Sequence, residues 1–161
     1  MQYFDNDVDL ATNKPYGNYI PYVIETSIGL DRMFLLMMSH AYTEEDLSTA
    51  EKQDSRVVLK LPNKLAPIKL AILPLVKKDG LPEIARKIMD DCKSSFRCFY
   101  EEKDTIGKRY RRMDALGTPH CVTVDQQTKE DNTVTIRYRD TMLQERIPVD
   151  NVKEIVLAAI Q

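Results

Sequence analysis

Lys108, Arg109, Arg111 and Arg112 crowd into one short stretch of this chain. On a helix, at about 100° per residue, Lys108, Arg111 and Arg112 share one arc while Ile106, Tyr110 and Met113 take the other side, giving a basic face and a core face. A solvated face balanced by Glu101, Glu102 and Asp104 has this composition. So does a phosphate-backbone contact, which needs a local cationic patch. Arg137 and Arg139 alternate in a strand pattern, with Thr133 and Thr135 on their face and Val134, Ile136 and Tyr138 on the other. Such a face is commonly just exposed to water, but its guanidinium groups can also stack on and hydrogen-bond to splayed single-stranded bases. Arg97 and Phe99 share one face of a further strand pattern, opposite Phe96, Cys98 and Tyr100. Core packing under a helix is the favoured reading for Phe99.

Glu25, Ser27, Asp31 and Arg32 cluster where a strand pattern gives way to a helix pattern. Taken alone, Ser27 is an N-cap and Asp31 and Arg32 are exposed helix residues. His40 and His120 have no partners at metal-ligand or triad spacing and read as structural. Cys92, Cys98 and Cys121 are odd in number and lack C-x-x-C pairing, which argues against a disulfide framework and a structural zinc site. They read as small apolar core residues in a reducing compartment. G-x-G-x-x-G, G-x-x-x-x-G-K-[ST] and G-x-S-x-G are all missing from the 161 residues, so a self-contained nucleotide-binding or hydrolase site has no support.

These groups must be positioned by ordinary elements. Residues 1–4 and 19–25 are rich in aromatic and β-branched types, with a turn-forming stretch between them. From Ser27 a helical period sets in, with Leu30, Phe34, Met37, Met38 and Ala41 on one face. Two strands and a helix bury little, so this segment is expected to need something outside itself to pack against. Residues 43–64 begin with a charged run and are read as a linker.

A compact domain is expected over 65–161. An apolar run at 68–75 has strand length. Leu81, Ile84, Ala85, Ile88, Met89 and Cys92 follow helical spacing, with Pro82 suited to the first turn, and residues 96–100 make the next strand. Strand, helix, strand implies parallel strands and a right-handed crossover. A second helix at 105–116 stops at Gly117 and Pro119, and strands at 120–124 and 133–139 form a hairpin with a long loop. A short strand at 144–147 and a helix from about Asp150 complete a mixed α/β domain, its sheet mainly parallel and flanked by helices.

With 23 Lys and Arg against 25 Asp and Glu, the net charge is −2, which excludes nucleic-acid binding by bulk charge. The composition, 43% hydrophobic and 30% charged, is globular, and no apolar run reaches the roughly 18 residues of a membrane span. A soluble, cytoplasmic protein is expected.

Four stretches together carry a family resemblance: YIPYVIETSIGLDR (19–32), LAPIKLAILPLVKKDGLPEIARKI (65–88), DTIGKRYRRMDALGTPHCVTVD (104–125) and DNTVTIRYRDTMLQERIP (131–148). In collinear order they closely resemble the C-terminal part of glycyl-tRNA synthetases of the homodimeric, class II type. The resemblance implies that 1–42 is the end of the catalytic domain, containing motif 3, and that 65–161 is the anticodon-binding domain shared with the threonine, proline and histidine synthetases. It places Arg32 on the ATP adenine and terminal phosphate, Gly29 at close approach to the nucleotide, and Glu25 and Ser27 on the ammonium group of glycine. Thr26 stands where many relatives have Pro.

The resemblance further implies ATP with Mg2+ as substrate of the full enzyme, a homodimer, glycine tRNA as partner, and no membrane, DNA or resident metal. Motifs 1 and 2 do not occur in these residues, so the chain reads as a piece of a longer ligase that cannot form glycyl-adenylate by itself. Glycine anticodons carry two cytosines, whose edges call for an acidic acceptor and an Arg donor. The candidates are Arg97, Arg112, Asp114, Arg137, Arg139 and Asp140 for bases, with Lys108, Arg109 and Arg111 for phosphates. Two competing readings are a non-catalytic accessory subunit that borrowed the anticodon-binding fold to hold protein or nucleic acid, and a free-standing α/β regulatory domain.

Overall fold

A computed structural model describes residues 3–20, 22–49 and 53–161. Met1, Gln2 and Pro21 of the first strand readings, and Glu51 and Lys52 of the linker reading, lie outside the described residues. The chain divides into two compact units, 1–33 and 34–161.

In the first unit β1 (Tyr3–Asp9) and β2 (Lys14–Tyr19) form an antiparallel hairpin. Asp9 closes its turn by accepting from the Ala11 N–H at 2.9 Å and the Thr12 hydroxyl at 2.8 Å. The second strand therefore ends where the sequence reading began it, because the pairing to β1 is supplied by Lys14–Tyr19. Residues 22–29 have no regular structure. Helix α1 (Leu30–Ala41) follows, its first four residues in this unit and those from Phe34 on in the second, and the Met33 N–H donates to the Gly29 carbonyl at 3.1 Å. The helix thus opens at Gly29 and not at Ser27, which lies too far upstream to cap it.

In the second unit, residues 43–64 hold regular structure where a linker was expected. β3 (Tyr42–Asp46) pairs antiparallel with β4 (Ser55–Leu59) in a hairpin. Alternation along β4 turns Arg56 and Val58 inward. Of the charges that suggested a linker, Glu44, Asp46 and Asp54 are exposed or partly exposed, while Glu45 pairs with the inward Arg56.

Among the described residues the main sheet has five strands in the order β6-β5-β7-β8-β9. They are β5 (Leu70–Pro74), β6 (Cys98–Tyr100), β7 (His120–Val124), β8 (Thr133–Tyr138) and β9 (Gln144–Pro148). β6 and β7 flank β5 in parallel, while β8 and then β9 pair antiparallel, so β8 alone of the five runs the other way. The expected mixed, mainly parallel sheet flanked by helices is present.

Strand alternation sorts the core into two faces. Leu70, Ile72, Val122, Val124, Val134 and Ile136 meet α2 (Leu81–Cys92) and α5 (Val152–Ile160) on one face. Ala71, Leu73 and Cys121 meet Met113 of α3 (Ile106–Ala115) on the other, with Phe99, Ile106 and Tyr110 at the margin. Each fully buried Leu, Ile or Val contributes roughly 1.5–3 kcal/mol over the exposed state.

The loop expected at 125–132 contains a short helix, α4 (Gln126–Asp131). Asp125 starts it as a capping box: its carboxylate accepts from the Thr128 N–H at 3.1 Å, and the Asp125 N–H donates to the Thr128 hydroxyl at 3.1 Å. A 3-10 turn, Val149–Asn151, leads into α5.

Candidate nucleic-acid interface

Helix α3 presents its cations in three different ways. Lys108, on the outer arc, is exposed. Arg111 and Arg112, with side chains 36% and 37% exposed, hold acidic neighbours: Arg111 reaches Asp54 at 2.7 Å, and Arg112 forks onto Glu101 at 2.8 Å and Asp104 at 2.7 Å. Arg109 turns inward and is only 2% exposed. Its guanidinium donates to the carbonyls of Pro74 at 2.6 Å, Leu75 at 3.2 Å and Glu101 at 3.2 Å, the ends of β5 and β6. The expected phosphate contact from Arg109 is therefore corrected: the side chain is buried and its donors go to backbone carbonyls at the strand ends. Burial pulls its pKa below the usual guanidinium value, with the nearby Glu101 charge opposing.

The alternation read for 133–139 is right, but the face bearing the arginines is not open to water. Asp114, Arg137 and Arg139 are all buried, covered by α3 and the β3–β4 hairpin. Asp114 accepts a bidentate pair from Arg137 at 2.8 and 3.0 Å. On its other side it accepts from Arg56 at 3.2 Å. Burial opposes the Arg137 charge, but the Asp114 hydrogen bonds and charge outweigh it and raise the Arg137 pKa. The Arg137 guanidinium also lies 4.7 Å over the Tyr110 ring, and the Tyr110 hydroxyl sits 2.5 Å from the Thr123 hydroxyl. In place of solvated base readers, the structure thus has an internal ionic lattice tying β8, α3 and β4.

Arg56 was missed, because a charged residue in a polar stretch carries no burial signal. It donates to the Arg139 carbonyl at 2.9 Å and forks onto Glu45 of β3. Glu45 also binds Lys60 at 2.8 Å. The Lys60 contact, helped by Arg56 and opposed by burial, holds the Glu45 carboxyl below its ordinary range.

Arg139 links this lattice to the surface. Its guanidinium donates to the carbonyls of Gly117 at 2.8 Å and Leu61 at 2.9 Å, and grips the exposed Asp140 carboxylate at 2.7 and 3.0 Å. The Asp140 oxygens are thereby aimed by a buried, immobile partner and keep lone pairs for an outside donor. Arg97 is exposed just before β6, and neither Arg97 nor Lys108 is ion-paired among the described residues. Phe99 packs beside the α3 core as favoured, and His120 is buried with its ring edge-on to Tyr138, centroids 5.6 Å apart.

In the first unit Glu25, Ser27 and Gly29 lie in the irregular stretch ahead of α1, and Arg32 falls in its first turn, all exposed. A Cβ built on Gly29 would meet only Arg32 Cγ and Cδ at 3.9 Å, an ordinary contact.

Residues 69–159 match the family described as "Anticodon binding domain". Glycine–tRNA ligase of Borrelia hermsii is 55% identical over 142 residues, covering 88% of this chain and 31% of the relative. Those of Treponema denticola and Rhodopirellula baltica are 50% and 48% identical, covering 92% and 89% of this chain and 32% and 27% of the relatives. The chain thus spans about a third of the length of the curated relatives it matches. Among solved structures, a prolyl-tRNA synthetase from Cryptosporidium parvum complexed with halofuginone and AMPPNP superposes with a TM-score of 0.59 at 22% identity, over 63% of this chain and 22% of that one. That likeness is one of fold.

Proposed function

Because this chain belongs to the anticodon-binding-domain family, we propose that it is the part of a glycine–tRNA ligase that reads the anticodon stem-loop of glycine tRNA in the cytoplasm. The observation that carries the reading is the similarity to glycine–tRNA ligases over about nine-tenths of this chain, at about half identity. The surface supports it. Asp140, braced by Arg139, offers a carboxylate for a cytosine amine, and Arg97 and Lys108 are exposed cations for a base carbonyl and phosphates. Arg111 would exchange Asp54, and Arg112 would exchange Asp104, for phosphates, which costs little at pairs more than a third exposed. Arg109, Asp114, Arg137 and Arg139 are positioning residues behind that surface.

On the same reading residues 1–42 belong to a catalytic domain, in which Glu25 and Ser27 hold the glycine ammonium and Gly29 and Arg32 meet ATP, used with Mg2+ by a homodimeric enzyme. A carboxylate suits an ammonium, and a guanidinium offers both a planar stacking surface and phosphate donors. The exposed Leu30, Phe34, Leu35 and Leu36 of α1 are in keeping with a helix made to be covered by more of such a domain.

Binding of a glycine anticodon stem-loop, measured by fluorescence anisotropy, tests the proposal. Replacing both anticodon cytosines by uracil should weaken binding about tenfold or more, and Asp140→Asn should narrow that gap. Equal affinity for both stem-loops overturns the reading.

A further inference from the structure

Of the four cations on α3, three are already engaged inside the molecule. Arg109 is buried, and the part-exposed Arg111 and Arg112 meet carboxylates supplied from outside the helix. Arg111 donates to the Asp54 carboxylate at 2.7 Å and to the Ser55 carbonyl at 3.4 Å. Asp54 is itself fixed. Its N–H donates to the Ser48 hydroxyl at 3.1 Å, and its carbonyl accepts from the Leu47 N–H at 2.8 Å and from that hydroxyl at 3.3 Å, which closes the β3–β4 turn at Asp54. Arg112 divides its two terminal nitrogens between Glu101 at 2.8 Å and Asp104 at 2.7 Å. The Asp54 and Asp104 side chains are each 39% exposed, against 15% for Glu101. An outside anion can therefore displace the two aspartates, while Glu101 keeps its hold on Arg112.

We propose that Asp54 and Asp104 are built-in competitors for the anion-binding face of α3: they occupy Arg111 and Arg112 in the free protein and must be displaced before RNA phosphates bind there. The ligand rests on the stem-loop reading above; the competition rests on the ion pairs themselves. A strand that offers phosphates alone gains little at these two arginines, because each new contact replaces one of similar strength at an exposed pair. A partner has to add contacts elsewhere, at Asp140, Arg97 or Lys108. The two aspartates thereby keep the basic helix from holding polyanions indiscriminately.

The exchange leaves a signature in salt. A cation that neutralises one phosphate of a single strand sets free about 0.7 of a condensed cation, so binding weakens as salt rises. When Arg111 leaves Asp54 for a phosphate, the vacated carboxylate attracts a cation in turn, and the net release falls toward zero. Arg111 and Arg112 thus contribute affinity with little salt dependence, unlike the exposed Lys108. Asp54→Asn and Asp104→Asn turn them into ordinary cationic contacts. Both changes keep the shape of the side chain, and asparagine suits the left-handed backbone of Asp104, whose φ is +72°.

Fluorescence anisotropy of the whole chain with two probes, the glycine anticodon stem-loop and an oligouridylate strand, tests this over a range of salt. Asp54→Asn and Asp104→Asn should each raise affinity for both probes about two- to fivefold at low salt and steepen the slope of log affinity against log salt by about 0.7. Arg111→Ala should abolish the gain from Asp54→Asn. Glu83→Gln removes the same charge from an exposed position on α2, across the sheet from α3, and should change neither quantity. Unchanged or weaker binding, an unchanged slope, a gain that survives Arg111→Ala, or an equal gain in Glu83→Gln would each overturn the proposal. A wild-type chain that binds oligouridylate as tightly as the stem-loop, with both gains present in the variants, would instead remove the stem-loop reading and leave the competition standing.

Discussion

Asp114 shows how the surroundings decide what a charged side chain does. Flanked in sequence by Met113 and Ala115, it looks like one more acid near a basic cluster, yet it is fully buried and neutralised by Arg137 and Arg56. Removing its charge leaves two guanidinium groups facing an uncharged site of low polarity. Asp114→Asn is expected to cost about 3–5 kcal/mol in urea unfolding. Arg111→Ala, which breaks a half-exposed pair with Asp54, should cost no more than about 1 kcal/mol. Equal costs would mean that burial of the lattice contributes nothing. Arg109 and Arg139 follow the same logic, because their buried donors close backbone carbonyls, those of Pro74, Leu75 and Glu101 for Arg109 and those of Gly117 and Leu61 for Arg139.

The β3–β4 hairpin depends on the same ions. Its inward Arg56 and its Glu45 link it to α3 and β8. Since Glu45 titrates lower in the folded chain than in the unfolded one, its contribution is present in full above the ordinary glutamate range and is lost as pH falls through its lowered folded value. Melting temperature followed from about pH 7 to about pH 3 should therefore fall more steeply for the wild type than for Glu45→Gln, the two curves converging in acid; parallel curves would contradict the assignment. The helix α3 ends against this hairpin at Gly117, whose φ is +77° and whose added Cβ would stand 3.0 Å from the Leu59 carbonyl and 3.3 Å from Leu61 Cδ1. Both the left-handed backbone and the close approach require glycine. Gly117→Ala should destabilise the protein by about 1–3 kcal/mol, read from the same urea midpoints.

For the molecule as a whole, a net charge of −2 and a stem-loop partner are compatible only if the cations are local. Lys108→Ala and Arg97→Ala should weaken binding to glycine and uracil-substituted stem-loops. For a residue that neutralises one phosphate, the slope of log affinity against log salt should fall by about 0.7. Arg137→Met should act otherwise, lowering stability first, because the side chain has no outer surface to offer. The proposed ligase reading also expects no glycine-dependent ATP–pyrophosphate exchange from these 161 residues, since they contain no motif 2 arginine; measured exchange would refute that expectation.

Most elements of residues 65–161 were legible because they announce themselves by period: the apolar run of β5, the helical spacing from Leu81 to Cys92, and the stop at Gly117 and Pro119; the short polar helix α4 has no such period and read as a loop. Family membership was legible for a related reason, as collinear stretches preserve residue types whose chemistry is specific. Periodicity is a property of neighbours in sequence, so it also assigned the faces of β8 correctly. What it could not say is what lies on each face. Whether Arg137 and Arg139 meet water or Asp114 depends on α3 and on the hairpin from a segment whose charges imitate a linker, and those contacts join residues dozens of positions apart. Sequence alone thus determined most elements of 65–161, the fold class and the chemical types available. Only the tertiary structure decided which arginines are exposed to a partner and which hold the fold, because desolvation and ion pairing are set by what packs across space.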